Sequence, residues 1–305
     1  MEQMPSKPKL LFLETRPQFL ILTPAAFSVG IAVAAWEGSF NLLHMVLALI
    51  GSLFAHITVN VINDYTDFVK GTDKLTKRTP FSGGSGMLPE GLLTPSAVLV
   101  LGLSALLAGL IIGGYFIVLY PVLLWLVIPA AIISVIYTPL LTKVYITELF
   151  PGIGFGPLLI IGAYVTQQAV GSSHISPAVI WASIPVGILV TNLLWVNEIP
   201  DFDADKQTGR RHGVILLGKK TSAVFYGLFN ILAYVFIIVP VVLNVLPPHV
   251  LLALLTIPIA IKATIGAVQN YDDTEKLIPS LGQNVLVVNV TPVLMTIGLV
   301  LAKFL

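Results

Sequence analysis

The chain reads as an all-α integral membrane protein of about nine transmembrane helices, and three observations predict it. Hydrophobic residues make up 56% of its 305 residues and charged residues only 10%, against about a quarter charged in soluble domains. The charge-free stretches 91–142, 149–197 and 221–261 are each about twice the ~20 residues a helix needs to cross a bilayer. The cations fall almost entirely in alternate loops between the apolar runs.

The apolar runs place spans at 18–36, 42–63, 95–114, 117–137, 149–169, 178–198, 222–243, 249–268 and 283–302. Pro17, Pro95, Pro177 and Pro248 sit at or just before span starts, where a missing N–H costs little. Pro121, Pro129, Pro185, Pro240 and Pro258 fall inside or near the ends of spans and predict kinks. With nine spans, one side receives the N-terminal segment and the loops after spans two, four, six and eight. Counting Lys262, that side holds 15 of the 16 Lys and Arg, with Lys303 at the other end. The positive-inside rule then puts the N-terminus in the cytoplasm. The opposite loops, EGSFN, GGYF, GSSHIS and NVLPPH, hold one charge, Glu37. The expected location is the plasma membrane, multi-pass, with the active-site loops cytoplasmic. The chain has no cysteine, which excludes disulfides, thiolate metal sites, a cysteine nucleophile and C-terminal prenylation. Residues 1–17 lack the short apolar core and small-residue cleavage site of a signal peptide.

An acidic pattern occurs twice where a long apolar run ends. NDYTDFVKGTD carries Asn63, Asp64, Asp67 and Asp73; NEIPDFDADKQTGRR carries Asn197, Glu198, Asp201, Asp203 and Asp205. Each has Asn, then an acid, then Asp four residues after the Asn, and the copies are 134 residues apart. Six of the eight Asp lie in these copies. An offset of four spans gives both motif helices the same orientation, consistent with a weak internal repeat (near 42–73 and 178–211) within a single domain, 1–305.

Carboxylates clustered at the membrane are costly and usually functional, and helical i, i+3 and i+4 spacing puts these groups within a turn or two of each other. Hard oxygen ligands suit Mg²⁺, which keeps waters and is usually shared with phosphate. The same loops supply Lys70, Lys74, Lys77 and Arg78, and Lys206, Arg210 and Arg211. Acids beside bases suit a metal–diphosphate, with metal on the acids and non-bridging oxygens on the bases. The plainer alternative is a pair of solvated loops, which leaves the repeated pattern unexplained. Asp272, Asp273, Glu275 and Lys276 read as solvated. RTPFSGGSG, 78–86, is either a phosphate-wrapping loop or a connector. In GIGFG, 152–156, Gly152 and Gly156 fit close helix packing better than a nucleotide fingerprint, because no strand precedes them. Lys143, near Tyr137, Tyr145 and Glu148 in sequence, is either a topogenic charge or a phosphate ligand. His44, His56, His174 and His249 read as packing or interfacial residues, and His212 lies beside Arg211.

These residues resemble the UbiA superfamily of intramembrane prenyltransferases. The resemblance covers almost the whole chain: Arg16-Pro17, both motifs, YTPLLTK at 137–143 and the closing GRR. KGTD and RTPFSGGSG are similar to the branch that prenylates 1,4-dihydroxy-2-naphthoate for menaquinone. The Arg-Pro-rich continuation of the archaeal lipid, haem and 4-hydroxybenzoate branches is absent. The resemblance implies nine helices around a cavity, an isoprenyl diphosphate donor, a small aromatic acceptor and two Mg²⁺ ions. It implies no nucleic acid and no protein partner. Asn63 and Asp67 would hold one ion, supported by Asp64 and Asp73; Asp201 and Asp205 would hold the other, with Asn197 orienting. The family's third motif Asp falls on Gly71 here, with the acid displaced to Asp73. Lys143, Arg78, Lys70 and Arg210 would neutralise the diphosphate.

The implied chemistry breaks an allylic C–O bond, and the carbocation must be kept from water. Aromatic faces can stabilise it; candidates are Tyr65, Phe68, Tyr137, Tyr145 and Trp195. Asp64 and Glu198 are the equivalent acids of the two motifs and the candidate bases. Other readings are the same chemistry on a glycerol phosphate lipid, haem, homogentisate or 4-hydroxybenzoate, hydrolysis of the polyprenyl diphosphate, or divalent-cation transport. Transport fits less well, because the acids lie at span ends rather than at the bilayer midplane.

Overall fold

The computed structural model describes residues 6–75, 78–81 and 83–305. These residues form helices and connecting turns with no strand. A short helix α1 (Lys7–Glu14) precedes α2 (Pro17–Trp36), α3 (Leu42–Lys70), α4 (Pro95–Leu119), α5 (Pro121–Ile136), α6 (Leu149–Val165) and α7 (Pro177–Gln207). The small α8 (Gly213–Leu217) leads into α9 (Lys219–Val242), α10 (Pro248–Asn270) and α11 (Thr274–Phe304). Among the described residues, seven helices are long and apolar enough to cross a membrane; α5 and α6 are shorter apolar helices. All nine expected apolar runs are therefore helical, and the chain is an integral multi-pass membrane protein.

Helix starts follow local chemistry. Thr94 and Ser176 cap α4 and α7 ahead of Pro95 and Pro177, while Asn41 caps α3 by accepting from the His44 N–H at 3.0 Å. Three boundaries differ from the sequence expectation. GGYF at 113–116 is helical, because α4 breaks only at Tyr120, next to Pro121. The Tyr120 side chain is fully buried and its hydroxyl donates to the Gln168 carbonyl at 3.0 Å. The second motif, and the first as far as Asp67, lie within the last turns of α7 and α3 rather than in loops after them, with Asp73 in a short helical turn, Thr72–Lys74, past the end of α3. Their carboxylates continue one face of each helix, and Gly71, at φ 78°, stops α3. Finally, α11 starts at Thr274, because Asp273 caps it by accepting from the Lys276 N–H at 3.2 Å.

The main core packs α2, α6, α7, α9, α10 and α11. Close approach depends on small residues. A Cβ on Gly156 would stand 2.6 Å from Gly187 Cα, and one on Gly152 would stand 2.7 Å from the Gly187 carbonyl oxygen. Gly152 and Gly156 are thus where α6 and α7 approach closely. Pro157, inside a wide turn at Gly154–Leu158, bends α6 there. This seam fixes Phe155 and Pro151 relative to the second motif helix.

Overpacking a tight interface costs about 1–3 kcal/mol. Gly156→Val should therefore lower the apparent melting temperature in detergent by about 5 °C, whereas Gly114→Ala, with nothing near its new methyl, should leave it unchanged. Thermal unfolding of the two variants checks this.

Candidate active site

The ends of α3 and α7 bring the two motifs onto one chamber with an open space of about 1310 Å³. Its wall includes Asn63, Asp67, Asp73, Asn197, Glu198, Asp201 and Asp205. The Asn63 amide nitrogen donates to Thr138 Oγ1 at 2.8 Å, so Asn63 presents its carbonyl oxygen. Arg210 joins the motifs: one guanidinium nitrogen pairs with Asp67 and the other lies 3.1 Å from Asp205 Oδ1. Burial works against the Arg210 charge, but Asp67 and Asp205 outweigh it and raise its pKa. Asp205 is also held by His212 Nε2 at 3.1 Å.

His212 lies at the end of a buried chain of acids. Its Nδ1 is 3.3 Å from Glu198 Oε2, and the Gly213 N–H donates to Glu148 Oε1 at 2.8 Å. Ligand atoms of Glu148, Glu198 and His212 all lie within 4.8 Å of one another. The Arg211 N–H donates to the Thr142 carbonyl at 2.8 Å, which docks the YTPLLTK segment beside the second motif.

The donor set fits a hard cation. Five carboxylates of the chamber wall face two guanidinium groups, Arg16 and Arg210. Asn197 Oδ1 is buried without a hydrogen-bond partner. Burial, and then Asp67 and Asp64, push the Asp73 carboxyl up to about 7. Crowded carboxylates of this kind are relieved by a bound divalent ion.

Other expected residues lie elsewhere. Asp64 is buried and turns away from the chamber, its Oδ2 accepting from the Ser85 N–H at 2.7 Å. Ser85 Oγ in turn donates to Glu14 Oε2 at 2.6 Å. Asp64 and Glu14 thus pin the glycine-rich loop, and Gly83 and Gly84 line the chamber. Gly84 has φ 74°, and a Cβ there would meet Asp64 Oδ1 at 3.3 Å; both explain the glycine. Arg78 is committed to Glu90 and the Ser85 carbonyl, each at 2.6 Å. Lys70 donates to the Thr138 carbonyl at 3.0 Å, and Lys143 is exposed. None of Arg78, Lys70 and Lys143 is among the chamber-lining residues. Lys77 lies outside the described residues, as does the side chain of Lys74. Among the expected aromatics only Tyr137 lines the chamber. Trp195 is buried on Ser222, Tyr65 and Phe68 pack around Val61, and Tyr145 is exposed.

The chamber continues into an apolar cleft of about 1220 Å³ between α3, α4, α5 and α6. His56, Val59, Tyr137, Pro151 and Phe155 line both spaces. The sequence reading missed Glu14, Glu148 and this position of His56. Each is a lone polar residue without a motif, and only tertiary packing reveals its neighbours.

A polytopic helical membrane protein with hard-ligand motifs at the mouth of an apolar cleft is the class that this geometry defines. The chain belongs to the UbiA prenyltransferase family, whose model matches residues 21–279, and it is a prenyltransferase. It is 27% identical over 274 residues to the 1,4-dihydroxy-2-naphthoate octaprenyltransferase of Bacillus subtilis, covering 88% of this chain and 85% of that one. The Escherichia coli enzyme of the same name is 29% identical over 228 residues, covering 72% and 71%. The fold matches a UbiA homolog from Archaeoglobus fulgidus bound to DMAPP and Mg²⁺, at TM-score 0.66, 13% identity and 95% and 98% coverage. It also matches a UbiA homolog from Aeropyrum pernix at TM-score 0.68, 17% identity and 93% and 98% coverage.

Burial, and then the charge of Asp64, push the Glu14 carboxyl from 4.5 up to about 7. The folded state therefore disfavours the Glu14 anion, and its cost appears as pH rises from about 4.5 through 7. Glu14→Gln keeps an acceptor for Ser85 without that charge. The variant should match the wild-type melting temperature at pH 5 and exceed it at pH 8.

Proposed function

We propose that the protein transfers a polyprenyl chain from an isoprenyl diphosphate to 1,4-dihydroxy-2-naphthoate, with Mg²⁺, in menaquinone biosynthesis. The observation that carries this reading is the convergence of both acidic motifs, through Arg210, on a chamber that opens into an apolar cleft. The named activity of the bacterial relatives supports the acceptor. The loop charges support a plasma-membrane enzyme with its motif end in the cytoplasm.

Asn63, Asp67 and Asp73 would hold one Mg²⁺ and Asn197, Asp201 and Asp205 a second; when bound, the ions supply charge stabilisation to the departing diphosphate. Arg210 is placed to donate to non-bridging oxygens in the same space. Lys70, Lys143 and Arg78 lie outside the chamber lining, so the diphosphate is assigned to Arg210 and the ions rather than to them. His212 orients Asp205 through its Nε2 contact. The apolar cleft takes the prenyl tail and excludes water from the allylic cation. Tyr137 and Phe155, where the spaces meet, offer ring faces to that cation. The acceptor ring attacks it, and Glu198, unlike Asp64, lines the space where a released proton would be taken up. A hydrated ion in transit would gain nothing from an apolar cleft, which favours transfer over transport.

Purified protein with radiolabelled geranylgeranyl diphosphate and an acceptor panel tests the reading. Prenylated naphthoate product should form with Mg²⁺ and vanish with EDTA. Asp67→Ala and Asp201→Ala should each lose more than the about 10–100-fold typical of residues that only support a metal ligand. Label passing instead to another acceptor would move the enzyme to another pathway. His212→Ala should weaken the apparent Mg²⁺ affinity by about 10–100-fold, with activity recovered at high Mg²⁺. Activity titrated against Mg²⁺ reads this directly.

A further inference from the structure

The apolar cleft has a blind end. Its lining begins beside the chamber at Val59, Tyr137 and Pro151 and finishes at Ala48, Phe116, Leu123 and Thr166. At the helical rise of about 1.5 Å per residue, Val59 to Ala48 on α3 covers about 16 Å and Tyr137 to Leu123 on α5 about 21 Å. These lengths set the room for a tail whose head group lies in the chamber.

Phe116 is the last cleft residue of α4 and is only 3% exposed. The His44 ring stands perpendicular to it with 5.5 Å between centroids, and the Tyr120 ring lies at 26° to it, 6.5 Å away. Both neighbours are tied to the chain just past α6. His44 Nδ1 is 3.0 Å from the Thr166 carbonyl oxygen, and the Tyr120 hydroxyl donates to the Gln168 carbonyl at 3.0 Å. Packed rings anchored in this way form a plug that yields little. The sides near the plug are shut as well. A Cβ on Gly51 would stand 2.8 Å from Ile112 Cγ2, and one on Gly113 would stand 2.9 Å from Val127 Cγ1. Hence α4 lies too close to α3 and to α5 there for a tail to pass between them.

We infer that Phe116 sets the length of the donor tail. An extended tail adds four carbon–carbon bonds of about 1.5 Å per isoprene unit, or about 4–5 Å along its axis, so the cleft holds about four units. The substrate class is then a diphosphate of geranylgeranyl length, and a fifth unit has to displace the plug. This rests on the prenyl-transfer reading, which leaves the tail length open.

Gly162 offers the reciprocal handle. It lines the cleft about 16 Å below Pro151 on α6, and nothing lies within 4 Å of where its Cβ would be. A side chain there leans back toward the start of α6, and so toward the chamber.

Equilibrium binding to full-length protein in nanodiscs tests the assignment. The probes are non-reactive thio-diphosphate analogues with two, four or five isoprene units, titrated with Mg²⁺. Each affinity is read as the ratio of variant to wild type, which cancels partition of the tail into lipid. Phe116→Ala should leave the two-unit analogue unchanged and tighten the five-unit one at least about 10-fold, the scale on which relief of overpacking acts. Gly162→Leu should leave the two-unit analogue unchanged and weaken the four- and five-unit ones by a similar factor. The second variant fills open space instead of emptying a packed site, so it tests the length limit however Phe116→Ala folds. An unchanged five-unit affinity in Phe116→Ala, or a loss in Gly162→Leu that is equal for all three analogues, overturns the inference. The expected pattern without transfer to any acceptor would keep the length limit and sink the transferase reading. Transfer with ratios that ignore tail length would do the reverse.

Discussion

The structure depends on electrostatic crowding at the mouth of one chamber. Two helix ends carry carboxylates into a small volume, and Arg210 bridges them through Asp67 and Asp205. Charges of one sign brought together at the edge of a low-dielectric slab repel strongly. One guanidinium offsets part of that repulsion and holds the motifs in register. What remains unneutralised is a crowd of carboxylates of the kind that a divalent cation relieves. The Asp73 carboxyl, pushed up to about 7 by burial and then by Asp67 and Asp64, carries part of the same crowding.

The scaffold keeps this arrangement from relaxing. The glycine contacts between α6 and α7 lock the second motif helix against the segment that carries Pro151 and Phe155. The buried links from Glu148 through Gly213 to His212 and Asp205 fix the far side. On the near side Asp64 and Glu14 hold the glycine-rich loop over the chamber by way of Ser85. Polarity then falls steeply past Tyr137 and Phe155 into the cleft. A charged wall and an apolar one are thus separated by about one side-chain layer.

Most of the fold was legible because the bilayer forces it: long charge-free runs must be helices. The exact breaks were not, since Pro121, read as a kink near the start of a span, instead ends α4 at Tyr120, and GGYF carries no signal of its own. The residues that the two motifs bring to one chamber were legible because repetition of Asn-acid-x-x-Asp exposes them. The role of Asp64 was not. It follows Asn63, which lines the chamber, yet one position along a helix turns a side chain by about 100°, here toward Ser85 instead of the chamber. Phosphate assignments by sequence proximity, for Arg78, Lys70 and Lys143, suffered similarly: a cation near a motif in the chain can be committed to Glu90 or a carbonyl in space. Phe116 and Gly162, on α4 and α6, line one cleft that no local pattern announces.

The central claim is that the two motifs make one two-ion site rather than two separate acidic patches. Counting Mn²⁺ bound per chain, with a non-reactive thio-diphosphate donor analogue, tests it most directly. The account predicts two ions in wild type with affinity that rises on adding the analogue, and weakened analogue binding in both Asp67→Ala and Asp201→Ala. Ion binding unaffected by the analogue, or analogue binding lost with only one motif, would contradict it.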